Sequence, residues 1–67
     1  VSGFEMVKIL TRFGWTPKIQ TGSQYIMKKQ GSTFRIVIPQ HRELHPGIIH
    51  QIMKEADLSI EQITKYL

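Results

Sequence analysis

Cysteine is absent from the 67 residues. Neither a disulfide framework nor a thiolate metal site is therefore available, and a reducing compartment is open to the chain. No apolar run approaches the roughly 18 residues that a membrane-crossing helix needs, and the amino end carries no signal-peptide pattern. The expectation is a cytoplasmic protein without membrane contacts. Acidic residues are scarce, five against nine Lys and Arg, which leaves a net charge of +4. That balance favours an anionic partner, nucleic acid before lipid, although solubility alone accounts for such a charge in many small domains. Length is also limiting, because a chain this short buries only about 60% of the surface it exposes when unfolded. Any site must lie on the surface or in a shallow groove. With 40% hydrophobic and 21% charged residues, the composition fits one ordinary globular domain over residues 1–67.

The stretch SGFEMVKILTRFGW opens with Ser2 and has Glu5 three residues later, the spacing of a helix capping box. Met6, Ile9, Leu10 and Phe13 follow at helical spacing and predict a buried face. Lys8 and Arg12 share the opposite side, and Gly14 supplies a stop. WTPKIQ is short and contains Pro17, which suits an edge strand. SQYIMKK predicts a second strand and STFRIVIP a third, joined by a tight hairpin around QGS, with Pro39 ending the ladder. In the third strand Phe34, Ile36 and Ile38 alternate with Thr33, Arg35 and Val37. In the second, Tyr25 with Met27 and Gln24 with Ile26 are both plausible inward pairs, and a bulge would mix them.

Pro46 stands at a first helical position, and Ile48, Ile49, Ile52, Met53 and Ala56 form one apolar stripe behind it. Asp57 occupies the place where helices commonly end in a left-handed residue. Ser59 and Gln62 then repeat the capping-box spacing, with Ile60, Ile63 and Leu67 at helical intervals. The order is helix, three strands, helix, short helix. It predicts a two-layer α+β domain, one three-stranded antiparallel sheet with helices on a single face, the other face left for a partner.

Three strings in this order, TGSQ, VIPQH and ELHPGIIHQIMKEADLS, resemble the HicA-type (YcfA-like) toxins of bacterial and archaeal toxin–antitoxin pairs. That family shows a Gly-Ser-His or similar turn, a Val-Pro-x-His segment, and a helix reading Ile-Leu-Lys-x-Ala-Gly. The likeness runs from about Glu5 to Leu67. It implies a double-stranded-RNA-binding-domain-like fold, a metal-independent endoribonuclease that cleaves mRNA, no cofactor, no small-molecule substrate, and neutralisation by a HicB-type antitoxin. It also implies a catalytic histidine in the Gly-Ser-His turn. Here that position is Gln24, and in members with Gly-Ser-Asn-His the histidine falls on Tyr25. Both registers lack it.

Metal-free RNA cleavage needs one group to take the ribose 2′-hydroxyl proton and another to protonate the leaving oxygen, and histidine serves because it titrates near neutrality. Glutamine exchanges no protons but still donates and accepts hydrogen bonds, and losing one acid–base group costs about 10²–10⁴-fold in rate. Tyr25 is a poor substitute, since phenols ordinarily titrate near pH 10. Of the three histidines, His41 follows Pro39 in the Pro-x-His string and is a secondary catalytic candidate, its plainer reading being a loop residue. His45 reads as a helix cap or exposed residue. His50 with Lys54 reads as a solvated helix face more readily than a phosphate clamp. His41, Glu43 and His45 match no standard metal-ligand spacing, so no metal site is expected.

RNA contacts fall to Ser23 in the turn, to Lys28, Lys29 and Arg35 on the hairpin, and to Arg42 in the following loop. A solvated hairpin is the plainer alternative. Trp15 and Tyr25 have π-faces for base stacking, although core packing suits Trp15 better. The leading expectation is a HicA-type toxin impaired by Gln24. The alternative is a non-catalytic module of the same fold that binds RNA or an antitoxin. A DNA-binding helix–turn–helix from the last two helices is weaker, since Glu61, Gln62 and Lys65 do not make a strongly basic face.

Overall fold

The computed structural model describes residues 1–66, in which α1 (Gly3–Thr11), β1 (Trp15–Gln20), β2 (Gln24–Lys29), β3 (Ile36–Pro39), α2 (Pro46–Ala56) and α3 (Ile60–Thr64) follow in order. The strands make an antiparallel meander in the order β1-β2-β3, with β1 at an edge as its proline requires. Helices cover one face, giving the expected double-stranded-RNA-binding-domain-like α+β arrangement. Among the described residues no helix is long and apolar enough to cross a membrane.

The helices begin and end where local chemistry directs. Ser2 Oγ accepts from the Glu5 amide at 3.1 Å while the Glu5 carboxylate accepts from the Ser2 amide at 2.9 Å, satisfying two amides that a helix start leaves unpaired. The bonds to Ser2, backbone first, hold the Glu5 carboxyl below its ordinary pKa. Ser59 and Gln62 repeat the device at α3, at 3.2 and 2.8 Å. Pro46 opens α2, and Asp57 closes it at φ 57°, ψ 45°, a left-handed conformation costing a non-glycine residue about 1–2 kcal/mol.

One core joins Met6, Val7 and Leu10 of α1 and Ile52 and Ala56 of α2 to Trp15, Met27, Ile36 and Ile38 of the sheet. Leu44 of the loop before α2 closes it. A second cluster, Ile9, Met53 and Ile63, ties the three helices together. Each such side chain stabilises the fold by about 1.5–3 kcal/mol on leaving water. Trp15 packs in the core, as its position suggests, but its indole Nε1 is buried with no hydrogen-bond partner among the described residues. Phe34 lies against it with ring centroids 5.9 Å apart, and Lys29 Nζ lies 5.9 Å from the Trp15 centroid.

Four expectations need correction or completion. The third strand starts at Ile36 rather than Ser32, and Gln30–Arg35 form an open connection instead of a tight hairpin. Ser32 Oγ, donating to the Phe34 carbonyl at 3.3 Å, holds a local turn that competes with pairing. Phe34 is consequently 50% exposed instead of sharing the buried row of Ile36 and Ile38. On α3, Ile63 is buried but Ile60 is 59% exposed, and Leu67 lies outside the described residues. The ambiguity in β2 resolves through its neighbours: Tyr25 pairs with Ile38 and Met27 with Ile36, so these face the helices, while Gln24, Ile26 and Lys28 face away. The irregularity sits in β1 instead, where Lys18 is an extra residue between Pro17 and Ile19.

Candidate functional site

The turn before β2 is held from within and from β3. Within it, the Thr21 amide donates to the Gln24 carbonyl at 2.9 Å and the Gln24 amide donates to Thr21 Oγ1 at 3.1 Å, a self-bonding turn of the kind hydroxyl residues favour. From β3, Gln40 reaches across. Its amide donates to the Ser23 carbonyl at 2.9 Å, and its side-chain Nε2 donates to the carbonyls of Thr21 at 2.8 Å and Gln24 at 3.3 Å. Gln40 is in turn seated on α1, because the Gly3 amide donates to the His41 carbonyl at 2.9 Å and the Leu44 amide to the Val1 carbonyl at 2.8 Å. A Cβ on Gly3 would stand 2.0 Å from the Pro39 carbonyl oxygen, so only glycine permits this approach.

Gln24 emerges from this frame exposed, on the sheet face that no helix covers, opposite Pro39. His41 is exposed two residues beyond Pro39, so the ladder brings it to the same end of the sheet. Tyr25, the other register for the family histidine, points the opposite way. It is half-buried and lines a groove with Phe4, Val7, Pro17, Lys18 and Gln20. Of the two positions, Gln24 is the more exposed.

The hairpin cations divide. Lys28 shares the uncovered face with Gln24, four residues and about 13 Å along the strand, and with Ser32, Thr33, Phe34 and Arg35 it lines a shallow polar recess. Lys29 points to the helix side and lies over Trp15. Arg42 and Ser23 are exposed at the Gln24 end, the Ser23 carbonyl being one of Gln40's acceptors. The structure thus places Lys28 and Arg35 at one end of the β2–β3 ladder and Gln24, Ser23, His41 and Arg42 at the other, with Ile26 and Val37 between them on the uncovered face.

The remaining histidines stand apart. His45 is the residue preceding α2 and makes no side-chain capping bond, and His50 and Lys54 share an exposed face of α2. On α1, Lys8 lies 5.0 Å from the Phe4 centroid and Arg12 4.8 Å from that of Tyr66. The helix–turn–helix reading loses its footing, since α3 has only five residues and is too short to serve as a recognition helix. Gly3 and Gln40 carry roles that the sequence does not signal, because those roles depend on which segments meet across the fold.

A family model described as HicA toxin of bacterial toxin-antitoxin matches residues 3–58. That span contains α1, the whole sheet and α2, with every candidate residue named above, and leaves α3 outside. Neither the curated proteins nor the solved structures compared with the chain give a match.

Proposed function

The chain belongs to the HicA toxin family, toxins of bacterial toxin–antitoxin systems, and from that premise we propose that it binds mRNA across the uncovered sheet face with its cleaving step impaired at Gln24. The observation that carries this reading is the placement of Gln24: exposed, on a turn fixed by Gln40, with Lys28 on the same face and His41 at the same end. Lys28 and Arg35 supply phosphate contacts, with Ser23 and Arg42 flanking the turn and Lys29 at the hairpin's helix-side edge. A HicB-type antitoxin neutralises the chain by covering the same turn and hairpin, where RNA and protein compete for one surface.

Cleavage at this site requires a base to draw the proton from the 2′-hydroxyl so that its oxygen attacks the adjacent phosphorus, and an acid to return a proton to the departing 5′-oxygen. Histidine at position 24 performs one of these transfers in the family, and glutamine performs neither. Gln24 holds a phosphate or base edge by hydrogen bonding, and His41 stands exposed at the same end of the sheet. Bound RNA is then retained largely uncut.

The test is a degradation assay with a fluorescent RNA, comparing the unaltered chain with Gln24→His. The substitution should raise the cleavage rate about 10²–10⁴-fold, and His41→Ala in the substituted chain should lower it again. A correctly folded Gln24→His protein that leaves RNA intact would remove the catalytic assignment of position 24. Vigorous cleavage by the unaltered chain, abolished by His41→Ala, would move the chemistry to His41.

A further inference from the structure

Phe34 is half-exposed at the hairpin tip, and its surroundings separate it from the other exposed aromatics. The Phe4 ring carries Lys8 at 5.0 Å and the Tyr66 ring carries Arg12 at 4.8 Å, so each is already engaged by a cation of the chain itself. Phe34 instead leans on the buried Trp15 ring, tilted by 50°, while the polar recess of Lys28, Ser32, Thr33 and Arg35 opens beside it. Trp15 backs the ring, the bond from Ser32 Oγ steadies its backbone, and two cations stand at its rim. An apolar ring in contact with water, lining both this recess of two cations and two hydroxyls and a second one shared with Lys29, Glu55 and Asp57, is poorly placed for stability. It is well placed for a nucleotide, whose base has a π-face and whose phosphate is anionic.

We propose that Phe34, Lys28 and Arg35 form a subsite for one nucleotide of single-stranded RNA. The base stacks on the exposed side of the Phe34 ring, and its phosphate sits between Lys28 and Arg35. The proposal rests on the RNA reading above and deepens it, since stacking of this kind selects unpaired bases over a duplex, whose bases are already stacked. The subsite lies at the end of the β2–β3 ladder remote from Gln24, so it anchors the strand away from the position assigned to chemistry.

The test uses the full chain, with Gln24 in place to limit cleavage, and fluorescence anisotropy of two labelled probes. One is a 12-nucleotide single-stranded RNA of mixed sequence, the other an abasic ribose-phosphate oligomer of equal length. Phe34→Ala should weaken RNA binding roughly 10-fold and leave the abasic oligomer unaffected, and Phe34→Trp should retain affinity. Phe34→Leu keeps Trp15 covered while removing the aromatic face, so it should retain the thermal midpoint and lose the base-dependent part. Lys28→Ala and Arg35→Ala should weaken both probes and reduce the salt slope by about 0.7 each. If Phe34→Leu binds RNA like the wild type while the cation variants weaken it, the subsite is wrong and the RNA reading stands. Equal losses on both probes would make Phe34 merely structural and overturn the subsite. A wild-type chain that binds neither probe overturns both.

Discussion

At the Gln24 end of the β2–β3 ladder, pairing runs on beyond the strands: Gln40 bonds to Thr21, Ser23 and Gln24, and the segment around it rests on the start of α1. At the Lys29 end, β3 begins only at Ile36, and Gln30–Arg35 are held by local bonds, the Ser32 amide to Lys29 and the Ser32 hydroxyl to Phe34. The same two strands are therefore fixed at one end by contacts distant in sequence and at the other by neighbours. Proton transfer tolerates little misplacement of the reacting groups. Contact with varied bases and phosphates gains from some adaptability. Under the proposed function, the division suits one closely positioned side chain at Gln24 and a more adaptable contact surface at the hairpin.

Removing Gln40's side chain should break the fixed end most sharply. In the Gln24→His protein, Gln40→Ala should lower the cleavage rate about 10²-fold while costing only about 1 kcal/mol of stability. Such a result would make Gln40 a positioning residue. A rate loss that merely followed the unfolded fraction, measured by circular dichroism at the assay temperature, would show an ordinary structural contact.

Two glycines then sharpen the contrast. Gly3→Ala forces a Cβ into the Pro39 carbonyl and should cost about 3 kcal/mol, lowering the thermal midpoint by roughly 10–20 °C. Gly31 has open space around it but a φ of +90°. Gly31→Ala should therefore cost only about 1 kcal/mol, for the backbone conformation alone. Equal midpoints for the two variants would deny that the ends are held differently.

The smallest effect concerns the cap beneath the fixed end. The Glu5 carboxyl has its pKa lowered in the folded chain by its bonds to Ser2, so its stabilising contribution is present above the ordinary carboxylate pKa. It disappears as pH falls through the lowered folded value. Glu5→Gln retains an acceptor without the charge. Its midpoint should lie slightly below that of the wild type at neutral pH, and the gap should close in acid. A gap that widened in acid would reverse the assigned sign.

The caps were legible in the sequence because a capping box joins residues three apart, and both Ser2 with Glu5 and Ser59 with Gln62 formed it. The left-handed end at Asp57 and the edge position of β1 were legible for the same local reasons. Phe34 was misplaced because strict alternation through Ile36 and Ile38 masks the turn that Ser32 makes with the backbone. The orientation of β2 stayed open because each candidate pair holds one apolar and one amphipathic or polar side chain, and the partners on β3 decide between them. Gly3 and Gln40 lie beyond reach of the sequence, since a backbone approach that leaves no room for a Cβ, or a bond between β2 and the residue after β3, exists only once the segments have met. The TGSQ turn singles out Gln24 and Tyr25 only through the resemblance, and it is the strand register that separates them, leaving Gln24 exposed on the uncovered face.

Trp15 is the only tryptophan in the chain, and its buried indole touches both the core and the ring of Phe34. Its emission is thus a built-in optical gauge, blue-shifted while the indole stays dry. Loss of the fold should shift that emission to longer wavelength, whereas a displaced hairpin tip should change its intensity first, so a single chromophore reports separately on the scaffold and on the segment proposed to meet RNA.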